Sequence, residues 1–478
     1  MKMKSCLFTS VVLSAGVLLA AGPQVSEVNL LRDDAGAVKV EYRLAGAPAI
    51  VTCHFETNGV PVYGPACGRY DGDMGRLIAT DGQKVFEVKG ASLAAEKLRA
   101  VVTAWSPSTP PDFMVVSLAT NAEEKVRYYE TRADLPGGLL ENDDYRSSRM
   151  VLRRIPAKGV DWTMGSDDGW KSADGRETKH AVRLDADYYM ATFELTQSQW
   201  FHIHPVRTGK FNANEGVSPR RPVDDVNFIK YRENINGTAD ASAYYPAKPG
   251  ANSFIGKLRD RTGVDFDLPG EAQWEFACRA GEYRDNYWND GTPHSAAEQP
   301  GRHGNNGGAT GGTFWPIDCD EDKATCAAGY YPCNAWDLYD MHGNVQEWCL
   351  DWYETDITQH GGKVNVDPEH PEKTLSGTVD GRRCRRGGNY IYGKDGLRSA
   401  ARSAAAPDDN TQFHGCRLVV SISNAAGTTN SFPSAEAAFS LASGVRGESD
   451  PAPVDGRSKW LSWITTTLRQ FGLVLFVR

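Results

Sequence analysis

"DFDLPGEAQWEFACRAG", from Asp265 to Gly281, reads as a short strand feeding a helix. Gly270 stands at the cap position, and Glu271 puts a negative charge at the positive end of the helix dipole. Trp274, Ala277 and Cys278 share one helical face, which makes Cys278 a core thiol rather than a reactive one. Gly281 ends the helix in the left-handed conformation open to glycine. Upstream, "DADYYMATFELTQSQWFHI" (Asp185–Ile203) repeats the logic. There Thr196 caps the helix and Gln199, three residues on, completes a capping box.

Around these stretches, short apolar runs are punctuated by Gly, Pro, Asn and Asp, which points to a loop-rich globular protein and not a helical bundle. A chain of 478 residues is too long for one typical core. Its 12 Trp, 19 Tyr and 17 Phe are enough to build packed interiors. The formal charge of −9, with no long basic run, argues against nucleic-acid binding through phosphate contacts. The opening "MKMKSCLFTSVVLSAGVLLAAGPQV" has a basic start at Lys2 and Lys4, an apolar stretch, and small residues at Ala20 and Ala21. This pattern predicts a signal peptide over 1–21 and a secreted or periplasmic protein. The apolar core is short and contains Ser and Thr, so a spanning anchor fits less well. Of the 10 cysteines, Cys6 lies in this leader, which leaves an odd number. At least one is then free or paired between chains. Cys53 with Cys67, and a pair within Cys319, Cys326 and Cys333, are the local disulfide candidates. Zinc competes for that last cluster, although its spacing is not a CxxC pattern.

Residues 22–120 read as strands. "VKVEYRL" alternates Val38, Val40 and Tyr42 against polar neighbours, and "AIVTCHF", "KVFEVKG" and "LRAVVTAWS" come after it. This spacing predicts a small all-β sandwich of immunoglobulin-like type. Residues 121–149 are polar and charged, with Pro-Gly-Gly inside, and read as a linker. Residues 150–422 hold every strong motif. Residues 423–478 read as a flexible tail. Its end, "KWLSWITTTLRQFGLVLFVR", keeps no single apolar face and is interrupted by Gly472, so no firm membrane anchor is expected.

The middle region carries, in order, "MGSDDG", "YYMATFELTQSQW", "PVDDVNF", "LPGEAQWEFACRAG", "LYDMHGNVQEWCLDWY", "RRGGNY", "ARS" and "GCRLV". This series, from about Val151 to Val420, resembles the formylglycine-generating enzyme family, also called sulfatase-modifying factors. The resemblance implies an irregular α+β, C-type-lectin-like fold, here preceded by the small all-β sandwich. Members oxidise a cysteine of a client sulfatase to formylglycine with oxygen and copper(I). Two cysteines after the RGG motif hold the ion, because soft copper(I) prefers thiolates. In this chain those positions fall at Tyr392 and Leu397, neither of which can bind copper(I) in that way. The resemblance therefore implies a framework without its reactive sulfurs: a noncatalytic relative that binds a peptide, glycan or protein. The alternative is a working oxidase with a rearranged site, for which Cys384 and Cys416 are the candidate substitutes. A facial iron site would have to start from His202 and His204, the only histidine cluster, but alternate helical residues point apart.

The resemblance also implies calcium, a hard cation suited to carboxylates and carbonyls on a tight loop. The matching residues are Asp340, Gly343, Val345 and Glu347, with Gly343 and Val345 lending backbone carbonyls; a helix cap with solvated acids competes. Gln346 replaces the usual Trp of that motif. A second calcium site would fall at Asn305, Asn306, Asp320 and Asp322, where a solvated loop is the rival reading. Asn389, Tyr390, Tyr392, Leu397 and Arg417 would line the family's substrate groove. An aromatic cleft with polar edges suits a peptide or sugar, and core packing of the tyrosines competes equally.

Overall fold

Alternation in the first strands decides which side chains face inward. In β2 (Val38–Ala45), Val38, Val40, Tyr42 and Leu44 are buried and their neighbours are not, as a pleated strand with one covered face requires. It pairs on one side with β1 (Gln24–Arg32) and on the other with β7 (Gly82–Lys89), which in turn pairs with β5 (Arg69–Gly72). A second sheet is centred on β3 (Ala49–Thr57). Along one edge it pairs with β8 (Leu98–Trp105), and its other edge is shared by β4 (Val60–Val62) and β6 (Arg76–Ile78). Val40, Tyr42, Val51, Phe55, Phe86 and Val88 join in one core between these sheets. The computed structural model describes residues 22–32, 37–63, 69–89, 98–166, 176–206, 208–209, 219–236, 249–281, 301–304, 325–355, 365–366 and 378–422. The expected leader and tail lie outside them, as do Asn305, Asn306, Asp320 and Asp322.

β3 is buried on both faces because a second core covers its far side. Its Ile50 belongs to a different core from Val51, one shared with Met114, Leu118, Tyr128 and Trp348. That core covers a six-stranded sheet: β10 (Val126–Tyr129), β9 (Phe113–Ser117), β11 (Arg149–Ile155), β14 (Tyr188–Ala191), β21 (Val419–Ser421) and β15 (Phe266–Asp267), in this spatial order. Residues 121–149, which read as a linker, thus supply a strand of this sheet, and they bury Leu135, Leu139 and Tyr145. Polar composition hid the strand because only Tyr128 and Tyr129 of its four residues are buried.

The remaining sheets are smaller. β12 (Asp161–Met164), β13 (His180–Arg183) and β17 (Asn365–Val366) form one, and β19 (Ser403–Ala405), β18 (Thr378–Arg386), β16 (Gln346–Glu354) and β20 (His414–Gly415) form another. Four α-helices stand among the described elements, α1 (Gln197–Ile203), α2 (Phe228–Arg232), α3 (Phe254–Thr262) and α4 (Glu271–Arg279), beside short 3-10 turns. The α1 capping box forms as the sequence predicts. Thr196 Oγ1 accepts from the Gln199 amide at 3.1 Å, and Gln199 Oε1 accepts from the Thr196 amide at 3.0 Å. Trp200 of α1 stacks flat on Phe254 of α3, with centroids 4.5 Å apart. Among the described residues no helix is long and apolar enough to cross a membrane.

The seam between the β3 sheet and β10 carries a titratable contact. Gly75, just before β6, accepts from the Tyr128 amide at 2.7 Å, and Arg127 donates to Tyr70 O at 2.9 Å. Beside them His54 Nδ1 lies 3.4 Å from Glu130 and Nε2 lies 3.7 Å from Glu56. Only the imidazolium can donate to both carboxylates, and the hydrogen bond to Glu130 raises the His54 pKa against the opposing effect of burial. A raised folded pKa means that the stabilisation is fully present below the ordinary histidine value, about 6.5, and is lost as pH rises through the folded value. Thermal melts of the wild type and of His54→Gln are therefore expected to differ most at about pH 5.5 and to converge by about pH 8. A difference independent of pH would show that the contact is not ionic.

Candidate functional site

Two loops meet where the sequence places its candidate residues. The first, Asp340 to Val345, turns tightly: Asp340, Gly343 and Asn344 all have positive φ, at 57°, 108° and 64°. Asp and Asn tolerate that region better than most residues. Gly343 has no substitute, since a Cβ there would lie 2.1 Å from Arg302 O. The second loop, Gly387 to Leu397, is stitched to the first. The Gly343 amide donates to Gly387 O at 2.7 Å, and the Tyr390 amide donates to Asn344 O at 3.0 Å.

α4 and β18 hold the second loop from beneath. Arg386 donates to Glu271 Oε1 at 2.7 Å and to Glu275 Oε2 at 2.9 Å, and its third nitrogen donates to Ser399 O at 2.9 Å. Arg402 grips both oxygens of Glu271, at 2.6 and 2.7 Å, and Arg279 donates to Glu275 at 2.8 Å. Burial alone would raise the Glu271 carboxyl, but Arg402 and Arg386 outweigh it and hold the group below the usual carboxylate range.

Of the five groove residues, Asn389, Tyr390, Leu397 and Arg417 are buried, and Tyr392 alone is open, at 38% exposure. The expectation of a cleft lined by all five is corrected accordingly. Leu397 fills the space between the loops: a methyl added to Gly343 or Gly388 would come within 3.0 Å of its Cδ carbons. Its carbonyl lies 2.7 Å from His342 Nδ1, and His342 Nε2 lies 3.6 Å from Cys278 Sγ. Burial lowers the His342 pKa to about 4 and pushes the Cys278 thiol up to about 12, so both groups are neutral. Cys278 is a core thiol, as its helical face predicts.

The loop acids are as buried as the groove residues, which excludes the solvated-cap reading. Glu347 accepts from Trp274 Nε1 at 2.6 Å and from Arg417 at 2.9 Å. Asp340 Oδ2 accepts from the Gly329 amide at 2.6 Å, while its buried Oδ1 has no hydrogen-bond partner among the described residues. Burial pushes the Asp340 carboxyl up to about 6. Glu194, which the sequence motifs do not mark, completes the cluster. Fully buried, it accepts from Asn344 Nδ2 at 2.6 Å and from the Val345 amide at 3.2 Å. Its pKa lies well above the ordinary value because of burial and then of Asp340 and Glu347. The available signal was an acid inside the apolar run "YYMATFELT". No three His, Cys, Asp or Glu residues among those described form a ready-made metal cage. Of the loop acids only Asp340 keeps an oxygen free for a hard cation, since both oxygens of Glu347 are taken by Trp274 and Arg417.

The candidate substitute thiols do not meet. Cys384 donates to Glu271 at 3.2 Å beneath α4, whereas Cys416 belongs to a different core beside Tyr231. The thiol that approaches Cys384 is Cys349 on the neighbouring strand; both are buried, and burial holds both far above the usual thiol range. Cys53 is packed in the first core, and Cys67, its candidate partner, lies outside the described residues. Cys326 is disulfide-bonded and Cys333 is free. His202 and His204 lie on and just past the end of α1, with no third ligand gathered among the described residues.

The profile of the sulfatase-modifying factor enzyme 1-like domain matches residues 146–422. The chain belongs to this family. Over 317 residues it is 26% identical to the formylglycine-generating enzyme of Bos taurus, covering 60% of this chain and 79% of that one. It is 34% identical over 158 residues to the formylglycine-generating enzyme of Thermomonospora curvata, covering 31% and 48%. It is also 27% identical over 228 residues to the chaperone protein LppX of Paenibacillus barcinonensis, covering 43% and 70%. Among solved structures, Treponema denticola variable protein 1 aligns at 22% identity and a TM-score of 0.42, over 57% of this chain and 96% of that one. The sulfatase-modifying factor domain thus spans both loops and the ionic network beneath them.

That network carries a stability prediction. Glu275→Ala leaves Arg386 and Arg279 each short of a buried partner, and loss of one member of such a pair costs about 3–5 kcal/mol. Urea unfolding is expected to show a loss of that size. A change below about 1 kcal/mol would mean that the charges are screened by water.

Proposed function

We propose that this member of the sulfatase-modifying factor family is noncatalytic and that it binds a peptide, glycan or protein partner outside the cytoplasm. The carrying observation is Leu397. Where the family's second copper ligand would stand, an isobutyl group is buried between the two loops. Tyr392, at the first position, presents a phenol to solvent. Copper(I) has no sulfur pair at these two positions, and the described buried thiols elsewhere are held protonated. The C-type-lectin-like character of the domain, the immunoglobulin-like character of the first sheets and a structural calcium ion belong to the same reading.

The surface that suits a ligand is aromatic. Tyr392 and Tyr330 are 38% and 39% exposed. They are linked through residues 301–304. Gly304 donates to Tyr392 O at 2.8 Å, while Tyr331, edge-on to Tyr330 at 5.1 Å, hydrogen-bonds Arg302. Exposed tyrosine offers a flat apolar face with a polar tip at little entropic cost, which suits sugars and peptide side chains.

Two measurements bear on this. Copper(I) titration of the purified protein, followed by oxygen uptake with a cysteine-containing peptide, is expected to give no turnover; tight copper binding with turnover reverses the reading in favour of a rearranged oxidase. On glycan and peptide arrays a hit is expected whose affinity falls about tenfold in Tyr392→Ala or Tyr330→Ala with the melting temperature unchanged. Blank arrays leave a purely structural domain.

A further inference from the structure

β16 and β18 run antiparallel, with Glu347 opposite Arg386 and Trp348 opposite Arg385. The next paired residues are Trp352 and Arg383. Between these pairs, residues 349–351 of β16 bulge against Cys384 alone, so Cys349 and Cys384 are neighbours where the ladder is interrupted. Their side chains leave the sheet on the same side. Both belong to the core beneath α4, with Trp274 and Ala277. Trp348 and Leu350, on either side of Cys349, belong to the core on the opposite face. Arg383 and Arg385, on either side of Cys384, likewise turn away, over the rings of Trp352 and Trp348. Two short side chains that face each other across adjacent strands come within reach of one bond.

Both thiols are free and buried, and neither is held firmly through its hydrogen. Cys349 Sγ lies 3.9 Å from Glu347 O, at the outer limit of a sulfur contact. Cys384 donates to Glu271 Oε2 at 3.2 Å, but that oxygen also accepts from Arg402 at 2.7 Å. Loss of the thiol hydrogen therefore leaves Glu271 with its charged partners.

We propose that Cys349 and Cys384 are a disulfide-forming pair, oxidised by a small-molecule disulfide such as oxidised glutathione. The thiolate of one attacks the oxidant, which releases one thiol and leaves a mixed disulfide. The thiolate of the other attacks the mixed disulfide, forming the Cys349–Cys384 bond and releasing the second thiol. The two cysteines give up two electrons and two protons, and the oxidant takes up both and leaves as two thiols. The finished fold covers both sulfurs, so the exchange takes place as the chain folds, before β16 and β18 close against α4. The bond braces the loop pair: β16 continues from the 340–345 loop, and β18 runs through Arg386 into the 387–397 loop, so the link joins the stems of both. It also closes the stretch between the cysteines into a ring, which restricts the unfolded chain. The inference goes beyond the functional reading above and needs neither a ligand at Tyr392 nor the absence of copper chemistry.

The test uses the full chain, unfolded and reduced, then refolded with either oxidised glutathione or dithiothreitol. Remaining thiols are alkylated, and cleavage on the amino side of aspartate puts Cys349 and Cys384 on separate peptides, 340–350 and 380–394, each with no other cysteine. After refolding with oxidised glutathione the two peptides are expected as one linked species that reduction separates. Oxidation is expected to raise the melting temperature of the wild type by about 5–10 °C more than that of Cys349→Ala, which keeps every other cysteine. The Gly343 and Tyr390 amides, which stitch the loops together, are expected to exchange with solvent more slowly in the linked protein. Both cysteines recovered alkylated after refolding with oxidised glutathione, or either one linked to a different cysteine, overturns the pair. A linked pair with unchanged exchange at Gly343 and Tyr390 overturns the bracing. If Cys349→Ala fails to fold, the wild-type peptide map and exchange rates decide both points.

Discussion

Arg386 is a full charge in the protein interior, held by carboxylates from two successive turns of one helix. Glu271 and Glu275 stand four residues apart on α4, on the same face. Removing such groups from water costs several kcal/mol per ion. That cost is offset only when every lone pair and N–H finds a partner, and here each does so through a neighbouring element. Arg402 closes on Glu271, Arg279 and the Gly165 amide close on Glu275, and Arg386 reaches on to Ser399 O. Four segments distant in sequence are thereby locked into one arrangement.

The consequence for the site is geometric. Arg386 immediately precedes Gly387 and Gly388, so the same residue that is bolted to α4 launches the loop, and its side chain also meets the loop's return at Ser399. Between those fixed ends the backbone doubles back closely enough that a Cβ on Gly388 would lie 2.6 Å from Gly396 O. Positive φ at Gly387 and Gly388, 87° and 70°, makes this turn possible. The 340–345 loop is then hung from Gly387 O and the Tyr390 amide. Ionic anchoring, two glycines and two backbone bonds are sufficient to define the loop pair.

Local signals were legible in the sequence and long-range ones were not. The Thr196 box, the α4 cap and the Val38–Val40–Tyr42 alternation are decided within a few residues, and each stands where it was expected. The α4 stop is shared, with Ala280 as well as Gly281 in the left-handed region. The strand at Val126–Tyr129 was not visible, because its pairing with β9 is what makes it a strand. Motif resemblance named candidate site residues but not their exposure. Arg417 is satisfied by backbone oxygens as well as by Glu347. Such self-contained polar groups can be buried, and no spacing rule reveals that. Glu194 was missed for the same reason: its partners lie about 150 positions away.

The groups that hold the loops and the groups that would carry chemistry are separate populations. Arg386, Glu271, Glu275 and Gly343 cannot be exchanged without an unpaired charge or a backbone collision. Positions 392 and 397 carry no such constraint, because no described ionic partner depends on their side chains. A leucine at 397 even adds to the core: full burial of such a side chain contributes about 1.5–3 kcal/mol. A fold with this division of labour keeps its shape whichever side chains stand at 392 and 397, so family membership alone does not decide whether a chain carries oxidase chemistry.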